Sequence, residues 1–401
     1  MHRVVLNFVL GVALLPVVLV VRLLRPLVLI RFGNLRNHTI GTLALHAENY
    51  MADKELGILQ PKSIDFFFNT LPSANSVLDR MLSRQLNVTK LARYCSGVNA
   101  RIPGGKNHVC ILGNAEFDRA RDHYRSYMGT RPHFSLTEKE KDAAQRALSD
   151  RMGIPRDAEI VCFCSRSDAY LQYLHRDEQV RSKEEVMQDM NPRNSSIDNY
   201  LLAARRLADR GYYLLRMGAV VEQVLDEDHP SIIDYANCYR SELLDIYLCS
   251  RCRFFLSDTA GIHCVPFMFR RPVANTNMVS FRVLNTWGGI FIPKKYRIIA
   301  ENRYMTVREI IETGGGVLNS SSWGPYARAN GVEYVENTPE EIAGLALEMD
   351  SRIRGTWRDS AEDEEMQGAF WAAFEKFTFA FGGPIHCRIA TTYLRANPEI
   401  I

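Results

Sequence analysis

The chain has 401 residues, 46% hydrophobic and 24% charged, which gives room for two α/β domains and excludes a disordered chain. Its formal net charge of +3, with no long Lys/Arg run, argues against a nucleic-acid partner, so any positive charge that matters is local. Nine cysteines, at positions 95, 110, 162, 164, 238, 249, 252, 264 and 387, are odd in number and scattered through apolar runs, which predicts reduced, buried thiols and no disulfide framework.

The first segment, Val4 to Val21, is uncharged and almost wholly apolar. About 18 to 20 such residues suffice to cross a hydrocarbon core, so residues 1–26 are expected to form a membrane anchor helix, spanning or deeply embedded. Pro16 is placed to kink it, and no small-x-small cleavage site follows. Arg22, Arg25, Arg31 and Arg36 come after the segment and only Arg3 before it, which places the remainder on the cytoplasmic side. The same arginines can rest on anionic headgroups.

Leu27–Phe32 is a short apolar run, followed by a polar stretch and then by apolar residues at helical spacing from Ile40: strand, loop, helix. Further strands are expected at Ser63–Phe68 and Val109–Leu112, and helices at Ser76–Arg84 and Ala115–Tyr127. Thr137 to Glu140 reads as a capping box opening a polar helix that ends near Gly153, and a boundary is placed there, giving a first domain over 27–150. The second domain, 151–361, alternates more clearly. Its strands are Glu159–Cys164, Tyr212–Met217, Ser231–Tyr235, Arg253–Ser257 and Val273–Thr276, with helices at Ile197–Arg210, Glu242–Cys249 and Ile262–Phe269 between them. Thr338-Pro339-Glu340-Glu341 is a strong helix start. A closing helix over Asp363–Phe379, within 362–401, is expected to pack back on the first domain. Strands alternating with helices predict parallel sheets, in two Rossmann-like doubly wound domains preceded by the membrane helix.

In open parallel sheets ligands lie beyond the carboxyl ends of the strands. Those ends carry Arg166 and Asp168, then Arg216 and Gly218, then Ser257-Asp258-Thr259-Ala260-Gly261 leading into a helix. Arginine offers a fixed fork of donors to phosphate oxygens, and helix starts offer free N–H groups. Together they describe a diphosphate cradle that needs no metal. Arg193-Asn194 before a helix, Asp234 at a strand end and Asp245 inside a helix are further polar candidates. Asp168 is the most convenient general base, with His38 and His263 as alternatives. No P-loop and no G-x-G-x-x-G occurs, Asp226-Glu227-Asp228 reads as a solvated loop, and Cys249/Cys252 lack a second pair for zinc.

The strings Leu27–Glu48, Val161–Leu171, Arg193–Leu201, Leu215–Gly218, Ile233–Leu248 and Phe254–Pro272 resemble a family of bacterial glycosyltransferases associated with surface-polysaccharide gene clusters. Phe291 to Lys295, Asn337–Ile342 and Tyr393-Leu394-Arg395 extend the resemblance over nearly everything after the anchor. It implies a GT-B-like transferase; with the metal-free cradle and the anchor read above, the expectation is a metal-independent enzyme of the inner membrane. The nucleotide-sugar donor would sit in the second domain and a saccharide or lipid-linked acceptor near the first. Arg166, Arg193, Asn194, Arg216, Gly218, Asp234, Asp245 and Gly261 match the family pattern. Thr39, Thr42, Cys164 and Ser167 depart from it at candidate catalytic positions. These departures motivate a second reading, a catalytically silent membrane-bound partner of a polysaccharide assembly complex. A third is a non-glycosyl transferase on the same scaffold.

Overall fold

The computed structural model describes residues 2–59, 62–112, 129–174, 191–281, 289–318, 322–375 and 387–401. The expected helix Ala115–Tyr127 and the end of the one at Asp363–Phe379 lie outside them. The chain divides into two compact units, 1–118 with 125–137, and 119–124 with 138–401.

In the first unit four parallel strands, β1 (Leu29–Asn34), β2 (Ser63–Phe68), β3 (Asn87–Val88) and β4 (Val109–Cys110), lie in the order β3-β2-β1-β4. The helix Ile40–Glu55 connects β1 to β2, as the apolar spacing predicts. The register sets Arg31 beside Asp65, and the half-buried guanidinium makes a forked ion pair with the buried carboxylate at 2.6 and 2.8 Å. Tyr50 from the connecting helix donates its hydroxyl to the same carboxylate at 2.7 Å. The Asp65 pair therefore fastens that helix to the sheet.

The first segment is helical over His2–Leu23. Among the described residues no helix is long and apolar enough to cross a membrane, so the expected spanning anchor finds no support. The helix instead packs Leu14, Val18 and Val21 against Phe32, Phe68, Ala92, Cys95 and Val98. Arg22 closes this contact with hydrogen bonds to the Asn99 side chain and to the Asn99 and Ile102 carbonyls.

The second unit is built on seven parallel strands in the order β14-β10-β9-β8-β5-β6-β7. These are β5 (Ile160–Cys164), β6 (Tyr213–Arg216), β7 (Ile232–Ile233), β8 (Phe255–Ser257), β9 (Val273–Met278), β10 (Ile290–Pro293) and β14 (Arg388–Ile389). The chain runs outward from β5 to β7, returns to place β8 on the other side of β5, and then runs outward again. The winding reverses between β5 and β8. β5 is buried throughout, as a strand covered on both faces must be. Beside the large sheet, β11 (Lys295–Ile298), β12 (Arg303–Tyr304) and β13 (Val332–Val335) form an antiparallel sheet that the sequence did not announce.

The closing helix is described over Ala361–Ala372. It packs Phe370 against Phe281 and Phe291 in the second unit's own core. Glu348, fully buried, holds the end of the chain by accepting from the Thr391 and Thr392 backbone N–H groups at 3.1 and 2.8 Å.

Asp65→Ala leaves the Tyr50 hydroxyl buried without its acceptor and the half-buried Arg31 guanidinium with only the Ser63 hydroxyl. It is expected to destabilise the first unit by about 3–5 kcal/mol in urea unfolding. Replacing the pair together, Arg31→Met with Asp65→Leu, should recover most of that loss.

Candidate functional site

The reversal between β5 and β8 brings two strand ends together, and one carboxylate ties them. Asp258, fully buried just past β8, accepts at Oδ2 from the Arg166 backbone N–H at 2.7 Å and from the Ser195 hydroxyl at 2.8 Å. Ser195 in turn donates its backbone N–H to the Arg166 carbonyl at 3.0 Å. Three loops, after β5, before the helical stretch from Ile197, and after β8, are thus fixed through Asp258. Burial pushes its carboxyl upward in pKa, while these hydrogen bonds and the charges of Arg166 and Arg193 oppose that shift.

Around this carboxylate lie three cationic side chains. Arg166 has its Nε and Nη2 buried with no hydrogen-bond partner among the described residues. Its pKa is lowered by burial, against the charges of Asp258 and Asp168. Arg193 donates from Nε to the Thr259 hydroxyl at 3.1 Å and from Nη2 to the Thr259 carbonyl, and its guanidinium lies 5.8 Å from the centre of the Trp323 ring. Burial first, and then the charge of Arg166, bring its pKa down to about 10. Lys294, just past β10 and 3% exposed, donates to the Asn194 carbonyl at 2.7 Å. Burial lowers its pKa too, against the charges of Glu336 and Asp258. All three shifts have one physical sense: desolvation disfavours the charged form, and an anion brought among these groups would relieve it.

Asp168 stands beside this group. Its Oδ1 accepts from Asn194 Nδ2 at 2.6 Å, and Asn194 is itself held through its carbonyl by Lys294. The strand-end reading therefore brings together Arg166, Asp168, Arg193, Asn194, Asp258 and Thr259. Gly261 opens the short 3-10 turn Gly261–His263, ahead of the helix Cys264–Met268.

Other candidates are engaged elsewhere. Arg216, expected to share the diphosphate, is nearly buried and donates to Asp234 at 3.1 Å and to the Gln223 carbonyl at 3.2 Å. Asp234 also accepts from the Leu225 N–H and the Asn237 amide, so this pair ties the ends of β6 and β7. Asp245 accepts from the Tyr235 hydroxyl at 2.8 Å and from Arg240 at 2.9 Å. Burial pushes its pKa up to about 6, against the Arg240 charge. Gly218 is a packing position, since a Cβ there would meet Val221 at 2.5 Å. Ser257 faces Cys164, Oγ to Sγ at 3.1 Å, and donates to the Asp258 carbonyl.

His263 is buried beside Phe267, and burial followed by the Arg193 charge brings its pKa down to about 4. A base that weak takes a proton poorly near neutral pH. His38 is exposed in the first unit. Seven of the nine cysteines are buried and all are free, while Cys238 is exposed and Cys264 half-buried. Among the described residues no group of three or more His, Cys, Asp or Glu side chains is placed to hold a metal ion.

Sequence reasoning missed Ser195, Lys294 and Trp323. The first two had usable signals: Ser195 adjoins Arg193-Asn194, and Lys294 follows an apolar run that forms β10. Trp323 lies far along the chain and had none.

No family model matches the sequence, and no curated protein does. Similar solved structures include a glycosyl transferase family 9 protein from Veillonella parvula DSM 2008, at 11% identity over 67% of this chain and 86% of that one, with a TM-score of 0.40. The ADP-heptose LPS heptosyltransferase II of E. coli aligns at 12% identity over 75% and 98% of the two chains, with a TM-score of 0.39. The dodecameric iron-containing heptosyltransferase TibC, in complex with ADP-D-beta-D-heptose, aligns at 11% identity over 81% and 77%, also with a TM-score of 0.39. Likeness this distant does not carry a function across.

His263 supplies a stability prediction. Its folded pKa of about 4 lies below the ordinary 6.5, so between those values the unfolded chain binds the extra proton. Stability falls as pH drops through that window, by up to about 3 kcal/mol from this group alone. His263→Gln should flatten the slope by that amount relative to the parent chain, measured as urea unfolding at pH 4.5, 5.5 and 7.

Proposed function

We propose that the chain is a glycosyltransferase that takes its sugar from a nucleotide-sugar donor, whose diphosphate is held by Arg166 and Arg193. The carrying observation is Arg166, a buried guanidinium with two N–H groups unpaired among the described residues, next to Arg193 and near the same carboxylate as Lys294. Buried donors are rarely left without an acceptor, and a guanidinium fork matches two phosphate oxygens. The position, where the winding reverses in an open parallel sheet, is where such folds take nucleotides. The sugar-transfer chemistry is supported by the resemblance of Val161–Leu171, Arg193–Leu201 and Phe254–Pro272 to the bacterial transferases.

In this mechanism an acceptor hydroxyl oxygen attacks the anomeric carbon and the bond from that carbon to the diphosphate breaks. The nucleoside diphosphate leaves carrying the electron pair. Arg166 and Arg193 stabilise the charge that grows on it, in a site where burial strengthens each interaction. Asp168 takes the hydroxyl proton, with Asn194 holding its carboxylate in place and Lys294 holding Asn194. The acceptor is a saccharide, lipid-linked, of a polysaccharide or lipopolysaccharide made at the cytoplasmic face of the bacterial inner membrane. The transfer uses no cofactor and no divalent metal.

Thermal shift and calorimetry with UDP, GDP, CMP and dTDP, alone and as nucleotide sugars, and with ADP-heptose, test the donor site. One nucleotide class should bind selectively, and Arg166→Met should weaken it about 100-fold or more. Arg216→Met should lower the melting temperature while leaving affinity within about threefold, because its partner is Asp234. Binding by Arg166→Met equal to that of the parent chain would refute the donor assignment. Donor binding without turnover, with saccharide and lipid-linked acceptors supplied, would identify a silent partner instead.

A further inference from the structure

The first helix carries an apolar surface that the fold does not use. Its inward stripe, Leu14, Val18 and Val21, has the i, i+4, i+7 spacing of a helix laid along a core. The rest of its circumference carries Leu15, Val17, Leu19, Val20 and Leu23, which are 41%, 47%, 44%, 53% and 78% exposed. The surface runs on past the helix through Leu24 and Leu27, the latter 76% exposed. Scattered exposed leucines are ordinary, but seven large apolar side chains within 13 residues are not.

Charge identifies the occupant. No Asp or Glu precedes Glu48, while five arginines do. Two of these, Arg22 and Arg31, are engaged inside the unit. Arg25, exposed between Leu24 and Leu27, and Arg36, also exposed, are turned to solvent. An apolar surface that runs into an exposed cation, in a stretch of sequence without an acidic residue, complements the boundary between acyl chains and anionic headgroups.

Orientation follows from the inward stripe. Val18 is wholly buried, and Arg22 is bonded to Asn99 and to the Ile102 carbonyl. A spanning helix would have to withdraw both from the first unit. We propose that the helix His2–Leu23 docks in the plane of an anionic lipid bilayer, with Leu15, Leu19, Val20 and Leu23 sunk into one leaflet and Arg25 at the headgroups. The docking is independent of sugar transfer, so its failure would leave the anion site untouched.

The test is co-sedimentation of the full chain with vesicles of phosphatidylglycerol and phosphatidylcholine in equal parts, and with phosphatidylcholine alone. The chain should pellet with the anionic vesicles, less so at high salt, and be released by an alkaline carbonate wash. The double variant Leu19→Glu/Leu23→Glu alters exposed positions only. It should lower vesicle affinity at least about tenfold with an unchanged melting temperature. Arg25→Glu should weaken binding to anionic vesicles only. Equal partition of the double variant, equal binding to neutral vesicles, or retention after the wash would overturn in-plane docking. So would a dimer of the chain that the double variant splits without altering vesicle binding.

Discussion

The second unit depends on the burial of one carboxylate. Asp258 has no exposed surface, and a charge there is costly unless hydrogen-bonded and paired. Its Oδ2 takes two donors, one from the loop after β5 and one from Ser195, so satisfying it fixes the geometry of both segments. The same negative charge makes three neighbouring cations tolerable in a desolvated place. Remove it, and Arg166 and Arg193 would face each other with Asp168 as the acidic charge still acting on Arg166. The site exists because the winding reverses beside β5, and it holds its shape because Asp258 bridges that reversal.

The neighbouring polar knots do different work. Arg216 with Asp234, and Asp245 with Tyr235 and Arg240, also bury carboxylates, but there each carboxylate is paired with its own cation. Such a pair contributes geometry: the first holds β6 to β7, and the second fixes the start of the helix Glu242–Arg251. Arg166 has buried donors left over. Its Nε and Nη2 have no partner among the described residues, and incomplete bonding points to a ligand more directly than charge alone.

Much of this was legible in the sequence, for physical reasons. β2 runs as expected from Ser63 to Phe68, and β5 differs by one residue; β5 is a continuous apolar run because it is covered on both faces. The antiparallel strands β11, β12 and β13 were missed because they are short and carry Lys295, Arg297, Arg303 and Glu333. The positions of Arg166, Asp168 and Asp258 just past β5 and β8 were legible because the carboxyl end of a parallel strand is a place with known consequences. The partners of Arg216 and Asp245 were not legible, because a sequence gives the position of a charge but not what it pairs with. Lys294 escaped because no strand was expected before it, and only the fold shows that it is buried and donates to the Asn194 carbonyl.

The first helix shows the same limit. Its composition announced an affinity for hydrocarbon, and length alone pointed to a spanning segment. Three residues decide otherwise: Leu14, Val18 and Val21 fill a groove between the sheet and the helix Lys90–Ala100, so one face belongs to the folded unit. Hydrophobicity summed along the chain cannot distinguish a helix apolar toward lipid on every side from one that divides its apolar surface between a core and its surroundings. The division is set by Phe32, Phe68, Ala92 and Val98, which lie on other elements and close the groove only once the sheet has formed.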